Sequence, residues 1–160
     1  MKKLFLLCLT TIIILLSQTE SKAQSSYKNA IGVRLGAYNG LNYKTFISSA
    51  NALDFNLSFR SFKGDNKLFR LTGLYEIHNP IANAAGLKWY YGAGASIGSR
   101  RYYKNDENDL YLAVVGVLGL DYKFAEAPIN VALDWRPEFE LTPFTDINEG
   151  DVGLAVRFTF

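Results

Sequence analysis

The chain is 160 residues long, which leaves room for one domain and little for a second. Lys and Arg number 17 against 15 Asp and Glu, too small a surplus to suggest nucleic acid as a partner. One cysteine, Cys8, excludes a disulfide framework.

The first residues read as an export signal. Lys2 and Lys3 precede an apolar or near-apolar run of 13 residues, Leu4–Leu16, and Ser21-Lys22-Ala23 places small residues three and one positions before Gln24. This is the layout of a secretory signal peptide cut after Ala23, and the run is shorter than the ~20 residues of a spanning helix. Cys8 follows Leu6 and Leu7 rather than small residues, which argues against lipidation. The expected domains are therefore a signal peptide at 1–23 and a mature domain at 24–160. The signal takes three cations and one acid with it, leaving 14 of each and a formal charge of zero. The mature part has no thiol, hence no Cys-ligated metal and no Cys nucleophile.

Beyond Ala23 the apolar residues recur at every second position, the period of a strand. Eight segments follow in order: Ala30–Tyr38, Leu41–Ile47, Ala52–Phe59, Lys67–His78, Leu87–Gly98, Leu110–Phe124, Ile129–Leu141 and Asp151–Phe160. Between them lie Asn39-Gly40, Ser48–Asn51, Lys63–Asn66, Asn79–Gly86, Asn105–Asp109, Glu126–Pro128 and Asn148–Gly150. Asn-Gly and Gly-Asp pairs signal hairpins because they tolerate positive φ. The second and third segments are short and are predicted to extend into their turns, while Asn79–Gly86 is long for a tight connector.

Each segment has an apolar and a polar column. Leu53, Phe55, Leu57 and Phe59 share one side, as do Leu133 and Trp135, and Val152, Leu154, Val156, Phe158 and Phe160; this column carries no charge. The other holds Arg34, Lys44, Asp54, Arg70, Glu76, Lys88, Asp121, Lys123, Asp134, Arg136, Glu138, Glu140 and Arg157. A soluble calyx or sandwich would bury the apolar column. A membrane barrel turns it to lipid and encloses the charges. Gly92, Gly94, Ser96, Gly98 and Gly119 favour the second arrangement: they weaken a water-facing strand but make room in a narrow lumen. Aromatic residues near segment ends (Trp89 and Tyr91, Tyr122 and Phe124, Trp135 and Phe139, Phe158 and Phe160) point to interfacial girdles. The predicted fold is all-β, an eight-stranded antiparallel up-and-down transmembrane barrel.

The ending Gly153–Phe160 alternates Leu154, Val156, Phe158 and a terminal Phe160, and resembles the C-terminal insertion signal of outer-membrane barrels. The stretches GLYEIHNPI, LKWYYGAGASIG and INVALDWRPEFEL resemble those of small outer-membrane β-barrel proteins of Gram-negative bacteria. The likeness covers nearly all of the mature chain and implies fold and location but no substrate. It also implies that Phe158 and Phe160 are read by the barrel-assembly machinery.

The chemistry-bearing residues are few. His78, the only histidine, is expected to face the lumen with Glu76 and Ser96, more as a hydrogen-bonding residue than as a catalyst. Asp134, Glu138 and Glu140 could hold a cation. Arg136 stands among them, however, with Arg34 and Arg157 on strands adjacent at closure. A structural lumen ion-pair network of Arg34, Asp121, Asp134, Arg136, Glu138, Glu140 and Arg157 is the expectation. Asp106–Asp109 lacks the spacing of a calcium loop and reads as a solvated loop. No metal, cofactor or catalytic residue is expected.

The functional expectation is a monomeric, non-enzymatic outer-membrane barrel with a structural or surface-interaction role and outer-membrane lipid around it. The alternatives are a narrow channel or small-ligand barrel, a membrane-embedded lipid-modifying enzyme centred on His78, and a soluble periplasmic binding barrel.

Overall fold

The computed structural model describes residues 27–61, 67–102, 107–142 and 145–160. The expected signal peptide and the Lys63–Asn66 connector lie outside the described residues. Eight strands follow in chain order: β1 (Asn29–Leu35), β2 (Asn39–Phe46), β3 (Asn51–Ser61), β4 (Lys67–Pro80), β5 (Leu87–Tyr102), β6 (Glu107–Lys123), β7 (Ile129–Thr142) and β8 (Asp146–Thr159). Each pairs antiparallel with its sequence neighbour, and β1 pairs with β8 to close the barrel. Asn29 and Phe160 exchange backbone hydrogen bonds of 2.9 and 2.8 Å where the seam begins. Closure leaves no strand edge in the wall, so the ladder satisfies the backbone without help from solvent.

The period-2 pattern sets which side chains go inside. On β7, Leu133 is 50% exposed and the next residue, Asp134, 2%. On β8, Val156 is 41% exposed and Arg157 1%. Charges therefore fill the interior and large apolar side chains cover the outside. The inward column is not wholly polar. Leu74, Tyr90, Val115, Val117, Ala132 and Ala155 form one buried apolar cluster, and Tyr38, Leu68, Tyr111 and Ala113 form a second.

Several local expectations are corrected. Asn39-Gly40 is not the first turn, since both residues open β2; the turn is residues 36–38, with the Asn39 Oδ1 accepting from the Gly36 N–H at 3.0 Å. Neither residue has positive φ. Gly40 is there because a Cβ would overlap the Leu57 carbonyl oxygen on β3. Tyr38 leaves the predicted first segment and buries its ring in the lumen. The strands around the Asn105–Asp109 loop are longer than expected, since β5 runs past Gly98 to Tyr102 and β6 starts at Glu107 rather than Leu110; residues 103–106 lie outside the described ones. β8 likewise starts at Asp146. Apolar residues are sparse in these stretches of sequence, so the alternation that marks a strand is weak there. The connector after β4 shrinks to residues 81–86, folded by Ala84 N–H to Ile81 O at 3.2 Å and Leu87 N–H to Ala84 O at 3.0 Å.

Two irregularities sit together in β7 and β8. Pairing slips by one residue between Arg136↔Asp151 and Glu138↔Asn148, with Pro137 in β7 and Gly150 (φ 98°) in β8 at the slip. A proline has no N–H for a ladder, and a bulge is where a sheet can accept one. Trp135, expected near a strand end, instead lies midway along β7 with its indole N–H donated to the Glu149 carbonyl at 2.8 Å.

The glycines of β5 also act differently from expectation. A Cβ on Gly92, Gly94 or Gly98 would overlap a β4 carbonyl oxygen, so these three permit close approach of backbones. Room for side chains comes from Gly119, whose Cβ would lie 2.7 Å from the Tyr90 ring, and from Gly153, which lies under the Arg34 guanidinium.

Candidate functional site

The lumen is the one region where polar chemistry is concentrated among the described residues, and strand parity delivers each group to it. Arg34 comes from β1, Lys44 from β2, Asp54 from β3, Glu76 and His78 from β4, Asp121 from β6, Asp134 and Arg136 from β7, Asp151 and Arg157 from β8. All are nearly excluded from solvent. A charge in such surroundings is tolerated only with partners.

The partners form a chain of alternating sign. Arg34 bridges Asp151 (Nη1–Oδ2 2.5 Å) and Asp134 (Nη2–Oδ1 2.6 Å). Asp134 passes to Arg136 at 2.9 Å, and Arg136 to Asp54 at 3.3 Å. Asp54 takes Arg157 at 3.1 Å, and Arg157 lies 3.8 Å from Asp121. Lys44 stands 3.5 Å from Asp121 and 2.7 Å from Glu76, and His78 Nε2 ends the chain 3.0 Å from Glu76. Neutral groups fill remaining valences. The Tyr90 hydroxyl donates to Asp134 at 2.9 Å, and the Asn42 and Asn130 amides donate to Asp54 and Asp121 at 2.8 and 2.7 Å. Asn42 Oδ1 in turn accepts from Arg157 Nε.

A second group lies nearer the rim formed by the β1–β2, β3–β4, β5–β6 and β7–β8 connections, here the far rim. Glu138 accepts from Arg70 at 2.5 Å and from the Tyr38 hydroxyl at 3.0 Å, and the Arg70 guanidinium lies 3.5 Å from the Tyr38 ring centroid. Arg100 grips Glu140 with two bonds, 2.6 and 3.0 Å.

At the opposite, terminal rim, four rings step inward. Tyr27, Phe46, His78 and Tyr90 have successive centroid separations of 5.2, 4.9 and 4.8 Å, and the last pair is stacked at 15°. Lys44 caps the Tyr90 ring at 4.3 Å. Burial pushes the phenol of Tyr27, which precedes β1, well above its ordinary value, so it remains neutral.

All seven residues of the expected network lie in the lumen, but not as one unit. Arg34, Asp121, Asp134, Arg136 and Arg157 belong to the alternating chain, whereas Glu138 and Glu140 pair with Arg70 and Arg100. Sequence reasoning left out Lys44, Asp54, Glu76 and Asp151 as network members, although parity had already put the first three in the polar column. Asp151 was recoverable by counting back from Arg157 in twos. His78 faces Glu76 as parity predicts, but Ser96 bonds Thr72 at 2.7 Å instead. Phe158 and Phe160 are outward, 55% and 61% exposed. Among the described residues no group of His, Cys, Asp and Glu is arranged to hold a metal.

No family model matches the chain, and no curated protein matches it in sequence. Among solved structures it is similar to the N-terminal β-barrel domain of Pseudomonas aeruginosa OprF, with a TM-score of 0.63 and 18% identity, covering 87% of this chain and 100% of that one. It is also similar to Neisserial surface protein A, with a TM-score of 0.55 and 13% identity over 82% of this chain and 93% of that one. At these identities the likeness speaks for the fold, that of a closed, eight-stranded transmembrane barrel.

Proposed function

We propose that the protein is an integral outer-membrane barrel, held in outer-membrane lipid, with a structural or surface-interaction role and no catalysis. The inversion of polarity carries this reading. A soluble monomer rarely exposes a continuous apolar surface beyond a few hundred Å², whereas here all eight strands turn Val, Leu, Ile and aromatic residues outward around a charged interior. In hydrocarbon that exterior is solvated and the ion pairs are sheltered. The terminal rim faces the periplasm and the far rim the outside, as in barrels with an even strand number. Phe158 and Phe160 act as the insertion signal for the assembly machinery, and the chain works as a monomer.

The alternating chain favours a sealed lumen over a channel. Its members meet across the bore, every link but the 3.8 Å Arg157–Asp121 contact lying within 3.5 Å, and Arg34, Lys44, Tyr90 and Arg157 are fully enclosed. His78 gives little support to an enzyme, because its ring is enclosed and the Ser96 hydroxyl is bonded to Thr72 instead.

Fractionation of cells making the full chain tests the reading. The protein should leave the membrane only with detergent, and should change gel mobility on boiling, as a folded barrel does. Recovery from an aqueous extract without detergent would overturn it. An independent check is Leu71→Arg, at an outward position near the middle of the wall. In a bilayer this outward change should destabilise the barrel by about 2–4 kcal/mol, read from urea unfolding in vesicles, whereas on a water-facing surface it would be nearly silent.

A further inference from the structure

Between Asp54 of the alternating chain and Arg70 of the far-rim group, the β2–β5 side of the lumen carries no charged side chain. The lumen-facing positions there include Gly40 on β2, Asn56 and Ser58 on β3, Thr72 on β4, and Ser96 and Gly98 on β5. The register sets them side by side: Gly40 opposes Ser58, Thr72 lies between Asn56 and Ser96, and Arg70 lies between Ser58 and Gly98. Asn56, Ser58, Arg70, Thr72 and Ser96 are each 3% exposed or less. Small side chains on four adjacent strands leave room in front of them.

Among the described residues of this stretch, three enclosed polar atoms have no partner: Asn56 Oδ1, Ser58 Oγ and Arg70 Nε. Such atoms are rare in folded proteins. Arg70 is not free to turn toward Ser58, since its Nη1 holds Glu138 and the Tyr111 hydroxyl and its guanidinium packs on the Tyr38 ring. The Thr72 and Ser96 hydroxyls bond each other at 2.7 Å, which leaves the accepting one with its own hydrogen unused. The three orphaned atoms differ in kind: Arg70 Nε–H only donates, Asn56 Oδ1 only accepts, and the Ser58 hydroxyl does either. A ligand that satisfies all three must itself donate and accept. An anion would face the Asn56 carbonyl with a second negative atom, and a metal cation would face the guanidinium. Opposed residues on one sheet face have Cβ atoms about 5 Å apart, close to the span of two hydrogen bonds of about 2.9 Å meeting at one oxygen. Water meets both conditions.

We propose that Asn56, Ser58 and Arg70 form a binding site for a single water molecule inside the lumen. The water oxygen accepts from Arg70 Nε–H and from the Ser58 hydroxyl, and one water hydrogen goes to Asn56 Oδ1. Three bonds are the usual complement of a buried water. The bridge ties the Arg70 guanidinium to β3 on the side away from Glu138, so the far-rim group is held from both sides of the bore. Because every residue of the site is enclosed, the water exchanges with solvent only when the wall or its neighbours move.

Crystals of the full-length barrel, grown from detergent and soaked in sodium bromide, test the identity of the ligand. The expected result is a density peak within hydrogen-bond distance of all three atoms and no anomalous bromine signal. An anomalous peak at that place would make the ligand an anion and overturn the proposal, as would the absence of any density there. In detergent solution, deuteron magnetic relaxation dispersion counts the long-lived internal waters. Ser58→Val removes the hydroxyl and fills its space, and should lower the count by about one water per barrel. The outward change Leu118→Ala should leave the count as it is. A count that Ser58→Val does not lower would sink the proposal. Heat-modifiable mobility shows whether the variant is folded, and the wild-type crystal decides the matter without it.

Discussion

The two charged groups of the lumen meet the same demand with different reserves. In the alternating chain, carboxylates are shared: Asp134 serves Arg34, Arg136 and Tyr90, and Asp54 lies between Arg136, Arg157 and Lys44. At the far rim, Glu140 and Arg100 face each other as a two-bond fork, with side chains 11% and 16% exposed. Sharing makes the first group act as a unit, because removing one carboxylate strands several cations. In the second group only the Arg100–Glu140 pair sits near water, which can replace a lost partner, whereas Arg70 and Glu138 are as enclosed as the first group. Depth in the lumen, more than the number of ion pairs, should then set how much each charge matters.

Four substitutions can break or sharpen this contrast, all read as urea unfolding of the vesicle-inserted barrel by gel mobility. Asp134→Ala should have the largest effect. It leaves two enclosed guanidiniums short of an anion, and breaking a buried pair in this way costs about 3–5 kcal/mol. Glu138→Ala should cost less, about 1.5–3 kcal/mol, the range for a hydrogen bond to a charged group, because Arg70 keeps the Tyr111 hydroxyl at 3.2 Å and the Tyr38 ring. Gly153→Ala presses a methyl into the Arg34 guanidinium, which Asp134 and Asp151 hold in place, and overpacking of this kind costs about 1–3 kcal/mol. Glu140→Ala should be the mildest, at about 1 kcal/mol or less, since a partly hydrated pair contributes little. If Glu140→Ala proved as damaging as Asp134→Ala, the distinction between the two groups would fail.

The sequence made the faces legible because they depend only on parity: Leu133 out, Asp134 in, Trp135 out, Arg136 in. It could not reveal partners across the bore. Arg70 meets Glu138 from β4 to β7, and Arg157 meets Asp54 from β8 to β3. Those meetings depend on strand tilt and stagger, which no single segment encodes. Turn chemistry misled at Asn39-Gly40, where the glycine answers to a carbonyl on the next strand rather than to positive φ. Tyr38 falls in the turn rather than at the end of the first strand, and its ring still meets Glu138 in the lumen, the side it shares by parity with Arg34.

Both tryptophans of the chain, Trp89 and Trp135, look outward. The protein's tryptophan fluorescence therefore has no contribution from the interior and works as a depth gauge. Trp89, stacked on Tyr91 near the terminal rim, and Trp135, midway along its strand, would be dimmed differently by brominated acyl chains carrying bromine at chosen carbons. Rearrangement of the enclosed ions would pass unseen by either indole unless the wall itself moved.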